Sequence, residues 1–219
     1  MKVFGIGLNK TGTTSLGKAL EILGYKDHIS WSADLSPDLI KKWSEKNIDA
    51  ILSVAEKYNN LEDWPWPLVY KELYEKFDDA KFILTKRTTP ERWYHSLCEH
   101  RLRHGSFEHH KLIYGYYFPH DFKREHIEFY NNHNRQVIDF FKKKAPEKLL
   151  VISFSDGNNW GKLCNFLNVG IPSLDFPHLN QSNPINPVNN ETSLTVSNKL
   201  AIRLIKIARA IKKPFTTKK

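Results

Sequence analysis

The sequence predicts an α/β fold: a parallel sheet with helices on both faces, three layers in all. Three observations carry that expectation. Apolar runs of strand length at residues 3–8, 49–54, 81–85 and 149–154 are separated by longer segments of helical period, the pattern of parallel strands joined by crossover helices. Two helix starts pair a hydroxyl cap with proline at the first helical position, Ser36-Pro37 and Thr89-Pro90. Two polar clusters, residues 7–15 and Lys86-Arg87, fall where apolar runs end, at the carboxyl ends of strands where such sheets bind ligands. At 219 residues, 40% of them hydrophobic, the chain can bury a substantial core as one domain.

In order, residues 3–8 read as a buried strand and 15–24 as the helix after it, closed by Gly24-Tyr25. Residues 26–32 form a short strand or loop holding His28, and Ser36 caps a helix to about residue 46. The run 49–54 reads as a second strand. Leu61-Glu62-Asp63-Trp64-Pro65-Trp66-Pro67 is a rigid turn before a helix over 68–77. The strand 81–85 leads into a helix capped by Thr89 and running to about residue 103. Residues 104–120 are rich in His, Tyr and Phe with little periodicity, and read as a long loop over the active face. Asp121 caps a long helix to about residue 144, 149–154 is the last strand, and Asp156 caps a helix over 158–167. Pro/Asn-rich coil at 170–190 precedes a final helix over 193–213.

The chemistry starts at the first turn. Asn9-Lys10-Thr11-Gly12-Thr13-Thr14-Ser15 sits between a strand and a helix, the parts of an anion cradle in which backbone N–H groups and a helix dipole converge on a phosphate-like group. Gly12 lets the backbone approach without a Cβ, and the hydroxyls of Thr11, Thr13, Thr14 and Ser15 add donors. The triphosphate-binding form of this loop is G-x-x-x-x-G-K-[ST]. Residues 7–14 read G-L-N-K-T-G-T-T, with Thr13 in the lysine's place and the lysine three positions earlier, at Lys10. A Gly/Thr turn without a ligand is the plain alternative.

Lys10-Thr11-Gly12-Thr13-Thr14-Ser15 resembles the K-[ST]-G-T-[TS] loop of the sulfotransferases that use 3′-phosphoadenosine 5′-phosphosulfate (PAPS). In that family the donor's 3′-phosphate is held by an Arg just after a strand and a Ser further along the next helix. Residues 81–96 supply Arg87 and Ser96, one residue further apart than the commonest R-x-P-x-x-x-x-x-S spacing. Arg87 suits a phosphate better than Lys86 because its guanidinium is a planar fork; an ordinary solvated basic pair is the alternative. Trp160-Gly161-Lys162-Leu163-Cys164-Asn165-Phe166-Leu167, Phe176-Pro177-His178-Leu179-Asn180 and Asp63-Trp64-Pro65 are similar to pieces of the compact bacterial-type members, so the resemblance spans about residues 2–182. The R-K-G element of the small-molecule sulfotransferases is missing, which leaves part of the donor site to be supplied elsewhere, the 176–182 segment being one source.

The resemblance implies a P-loop-like three-layer fold, PAPS as co-substrate, no metal, and Lys10 on the bridging oxygen of the donor. For the base that takes the acceptor's proton, His28 comes first, since an ordinary imidazole titrates near ~6.5; a purely structural His28 is equally open. Asp63 is the rival, as base or as the group that fixes the turn and orients Lys10. The acceptor is a small molecule, a glycan or a lipid. Two other functions compete: a nucleotide kinase or NTPase, and a non-catalytic peripheral membrane protein.

The formal net charge of +9 is a property of the tail. Residues 192–219 hold eight Lys/Arg and no acid, leaving 25 basic against 24 acidic residues in the rest. A nucleic-acid partner is therefore not expected of a catalytic body at 1–192. In the tail, Leu200, Leu204, Ile207, Ala208 and Ile211 share one helical face opposite Lys199, Arg203, Lys206 and Lys213, a pattern that fits either peripheral membrane contact through 193–213 or docking on the protein itself. Two cysteines, Cys98 and Cys164, give no disulfide framework. With a strand beginning at Lys2 and no apolar run of ~18–20 residues, the expected location is cytoplasmic.

Overall fold

A computed structural model describes residues 1–179. Its strands are β1 (Val3–Gly5), β2 (His28–Ile29), β3 (Asn60–Glu62), β4 (Lys81–Thr85) and β5 (Leu149–Ile152). Its α-helices are α1 (Thr13–Ile22), α2 (Ser36–Ser44), α3 (Ile48–Ala55), α4 (Tyr70–Lys76), α5 (Pro90–His104), α6 (Glu108–Tyr114), α7 (Lys123–Lys144) and α8 (Asn159–Leu167). All strands pair in parallel, in the order β2-β3-β1-β4-β5.

Side-chain alternation along the strands builds the three layers. Phe4, Ile6, Phe82 and Leu84 pack on one face against Ile51, Leu73, Val137 and Phe141, from α3, α4 and α7. Val3, Ile83 and Ile152 pack on the other against Leu16 and Leu20 of α1 and Leu163 and Leu167 of α8. Phe82 sits with ring centroids 5.4 Å from Phe4 and 4.8 Å from Phe141. A third cluster, including Leu8, Trp64, Trp93, Leu97, Ile113 and Tyr130, is built largely from segments that follow the strands. Gly7 is needed where the chain leaves β1: a Cβ there would lie 2.4 Å from the Thr85 carbonyl oxygen.

Several boundaries differ from the sequence expectation. Residues 49–54 form a helix, not a strand, because the Asn47 side chain accepts from the Ala50 N–H (3.4 Å). Ile51 and Ala55, four apart, face the core while Asp49 and Ser53 face solvent. The strand is β3 instead, which overlaps the first two residues of the 61–67 segment expected to be turn. The helix expected from residue 68 starts at Tyr70, after a 3-10 turn over Trp66–Leu68. α6 interrupts the expected 104–120 loop, and Phe122 and Asn158, not Asp121 and Asp156, hold the cap positions of α7 and α8. Thr89 caps α5 as expected, its Oγ1 accepting from the Arg92 N–H (3.2 Å). No helix among the described residues is long and apolar enough to cross a membrane. The basic helix expected over 193–213, and the domain boundary before it, lie outside the described residues.

His28 does not have the surroundings of a base. Its Nδ1 is 2.8 Å from Glu21 Oε1 and its Nε2 3.4 Å from Glu62 Oε1, so both ring nitrogens are committed. The hydrogen bond to buried Glu62 raises its pKa most, with Glu21 adding, against the opposing effect of burial. Through these two carboxylates it ties α1 and β2 to β3, and both favour its protonated form. A group with a raised folded pKa stabilises fully below its ordinary value near ~6.5 and loses that contribution as pH rises through the raised value. His28→Ala should therefore cost roughly 1.5–3 kcal/mol near pH 6 and distinctly less at pH 9. Thermal melts at the two pH values check this; equal losses would contradict the ion pair.

Candidate active site

The turn from β1 into α1 is held by its carbonyls. The Leu8 carbonyl accepts from Thr11 Oγ1 (2.6 Å), the Asn9 carbonyl from Trp93 Nε1 (2.9 Å) and the Lys10 carbonyl from Arg87 Nε (2.7 Å). With those oxygens bonded into the protein, the N–H groups of Lys10, Thr11 and Gly12 find no protein acceptor among the described residues. The first N–H groups of α1 are likewise without intrahelical partners, as at any helix start. Gly12 is required twice over: its φ is 104°, and a Cβ would lie 2.7 Å from the Phe154 ring. Together these make the donor array of an anion cradle at a helix N-terminus.

Around the cradle lies a cavity of about 560 Å³, lined among others by Lys10, Gly12, Thr13, Thr14, Asp63 and Leu179. Thr13 Oγ1 donates to Asp63 Oδ2 (3.1 Å), and the Trp64 N–H donates to Asp63 Oδ1 (2.8 Å). Burial, then the neighbouring Glu62, push the Asp63 pKa up to about 6, against the pull of those hydrogen bonds and of Lys10. Burial also lowers the pKa of Lys10, partly offset by Asp63. The Lys10 Nζ lies 3.3 Å from His100 Nδ1.

The other expected site residues are placed differently. Thr11 is buried, its hydroxyl 2.6 Å from Thr85 Oγ1 as well as bonded to Leu8, so it braces the turn. Ser15 Oγ accepts from the Leu179 N–H (3.0 Å), which brings the 176–179 segment onto the start of α1. Arg87 spends Nε on Lys10 and lines a second cavity of about 450 Å³ with Tyr130, Asn134 and Arg135. Ser96 is buried on α5, and neither it nor His28 lines either cavity.

Sequence reasoning missed a wall of the site. α5 contributes His100, Arg101 and His104 to the cavity, with the His100 and His104 rings 4.4 Å apart. Their spacing of four places both imidazoles on one helical face, a signal readable in the sequence. Burial, with Lys10 second, pushes His100 down to about 3, so it is a neutral partner that accepts from the Lys10 ammonium. Trp31, Phe107, His109 and His110 complete that side.

A family model described as a sulfotransferase domain matches residues 2–185. A protein of Aspergillus versicolor described as Ava biosynthesis cluster protein M is 24% identical over 219 residues, covering 82% of this chain and 80% of its own. Among solved structures, a sulfotransferase from Alicyclobacillus acidocaldarius has a TM-score of 0.50 at 19% identity, over 95% of this chain and 93% of that one; the likeness is one of fold. Since the family match runs unbroken from β1 through the cradle, Asp63, Arg87 and the segment that reaches Ser15, the chain belongs to the sulfotransferase domain family.

Proposed function

We propose that this sulfotransferase uses 3′-phosphoadenosine 5′-phosphosulfate as donor and a hydroxyl or amine as acceptor. One observation carries the reading: the turn's carbonyls are bonded inward while three successive N–H groups and the Lys10 ammonium, which has no carboxylate ion pair among the described residues, are left for an anion. A kinase or NTPase reading needs a lysine at position 13, where Thr13 instead donates to Asp63.

The donor supplies a sulfuryl group already activated by a good leaving group. The cradle's N–H groups and the dipole of α1 would hold its 5′ end, and Lys10 would face the charge left on the departing oxygen. The terminal nitrogens of Arg87, not used in any protein hydrogen bond among the described residues, suit the 3′-phosphate; Ser96 adds at most one hydrogen bond. As in phosphoryl transfer, positioning and charge neutralisation do most of the work. Asp63 would take the acceptor's proton as the new bond to sulfur forms. Its pKa of about 6 lets it be ionised at neutral pH yet basic enough to accept.

Lys10→Ala should lower turnover by ~10²–10³, the scale of one removed transition-state donor, with a much smaller loss of affinity for the product 3′-phosphoadenosine 5′-phosphate. Single-turnover sulfation and calorimetry on the variant measure the two; unchanged turnover would remove Lys10 from the chemistry. For Asp63, kcat/KM should rise with pH through about 6, because the carboxylate must be ionised to accept a proton. Asp63→Asn keeps an oxygen for Thr13; it should abolish that limb and slow transfer by ~10²–10⁴. A pH profile unchanged in Asp63→Asn would assign the base elsewhere.

A further inference from the structure

We infer that the acceptor is an aromatic molecule carrying an anionic group, and that Arg101 recognises that anion. This rests on the sulfuryl-transfer reading above. Arg101 lies in the wall of the 560 Å³ cavity yet is only 5% exposed. Its Nη1 donates to the Gly105 carbonyl (3.4 Å) and faces His110, while its buried Nε has no hydrogen-bond partner among the described residues. It forms no ion pair with a carboxylate among the described residues. Burial lowers the arginine's pKa to about 10, offset in part by Tyr114 and then by Asp63. Both Asp63 oxygens already accept, from Thr13 and Trp64. A guanidinium buried without a counter-ion is costly, and a fork with a free edge is shaped for a carboxylate or a similar oxyanion.

Position separates this cation from the donor cradle. Lys10 serves the start of α1, with His100 beside it (3.3 Å). Arg101, the next residue along α5, is turned toward Gly105 and α6, the side where Trp31 and Phe107 line the cavity. Those two rings are 38% and 54% exposed and flank His109, with centroids 4.6 and 5.7 Å from it. Burial, then Arg101, hold His109 down to about 4, so at neutral pH it is an uncharged ring in this aromatic rim. Exposed aromatics at a cavity mouth with a buried arginine behind them fit a planar acceptor that stacks, pairs its anion with Arg101, and presents its hydroxyl to Asp63.

The test uses wild-type protein with paired probes: 4-hydroxybenzoate and 3-(4-hydroxyphenyl)propionate against their carboxamides. Binding to protein loaded with 3′-phosphoadenosine 5′-phosphate is measured by calorimetry, and sulfate-ester formation is followed with PAPS. The carboxylates should bind and react roughly 10- to 100-fold better than the amides, the scale of a charged hydrogen bond. In Arg101→Lys, which keeps the charge but loses the fork, and in Arg101→Gln, that preference should shrink to a few-fold while bisphosphate affinity stays. Equal binding of acid and amide by wild-type protein that does bind the bisphosphate would overturn the inference alone. So would a loss of PAPS affinity in Arg101→Lys with the acid preference intact, since Arg101 would then serve the donor. Failure to bind the bisphosphate would remove the sulfuryl-transfer reading, and this inference with it.

Discussion

The hydrogen bond from Arg87 Nε to the Lys10 carbonyl, 2.7 Å long, joins the two strand ends on which the site is built. Lys10 has a φ of 68°, a conformation that costs a side-chain-bearing residue on the order of 1–2 kcal/mol, and a charged donor on its carbonyl offsets that cost. The orientation matters as much as the energy. Once the carbonyls of Leu8, Asn9 and Lys10 are bonded into the protein, the N–H groups of Lys10, Thr11 and Gly12 have no protein acceptor among the described residues, and the proposed anion site rests on that. Arg87 thus shapes the turn from behind while its terminal nitrogens make no hydrogen bond among the described residues.

Charge in the site is arranged around two adjacent acids with different tasks. Glu62 is fully buried, its Oε1 3.4 Å from His28 Nε2. Asp63, the next residue, turns at a φ of 68° into the cavity, where Glu62 adds to burial in lifting its pKa. His28 therefore bears on residue 63 through the neighbouring Glu62.

What was legible in the sequence was what rests on local chemistry. The cradle is a contiguous run whose Gly, Lys and hydroxyl residues are chosen by the turn itself, and β4 and the Thr89 cap are equally local. β3 was hidden because two of its three residues, Asn60 and Glu62, are polar, and their burial is explained by distant partners: Asn60 Nδ2 donates to the Gly17 carbonyl (2.9 Å), and Glu62 meets His28. Residues 49–54 read as a strand in the sequence because a short apolar run does not reveal its own period. The α5 wall was unread because His100 and Arg101 acquire their roles only when α5 packs over the turn that holds Lys10, some ninety residues earlier.

Donor recognition is the central claim, and calorimetric titration of the full chain tests it most directly. Titrating 3′-phosphoadenosine 5′-phosphate, adenosine 5′-phosphate and ATP with Mg²⁺ separately compares the two anion sites with the triphosphate alternative. One bisphosphate should bind per chain, more tightly than adenosine 5′-phosphate by at least roughly ten-fold, the scale of one charged hydrogen bond, and more tightly than ATP with Mg²⁺. Tighter binding of ATP with Mg²⁺, or no gain from the 3′-phosphate, would contradict it.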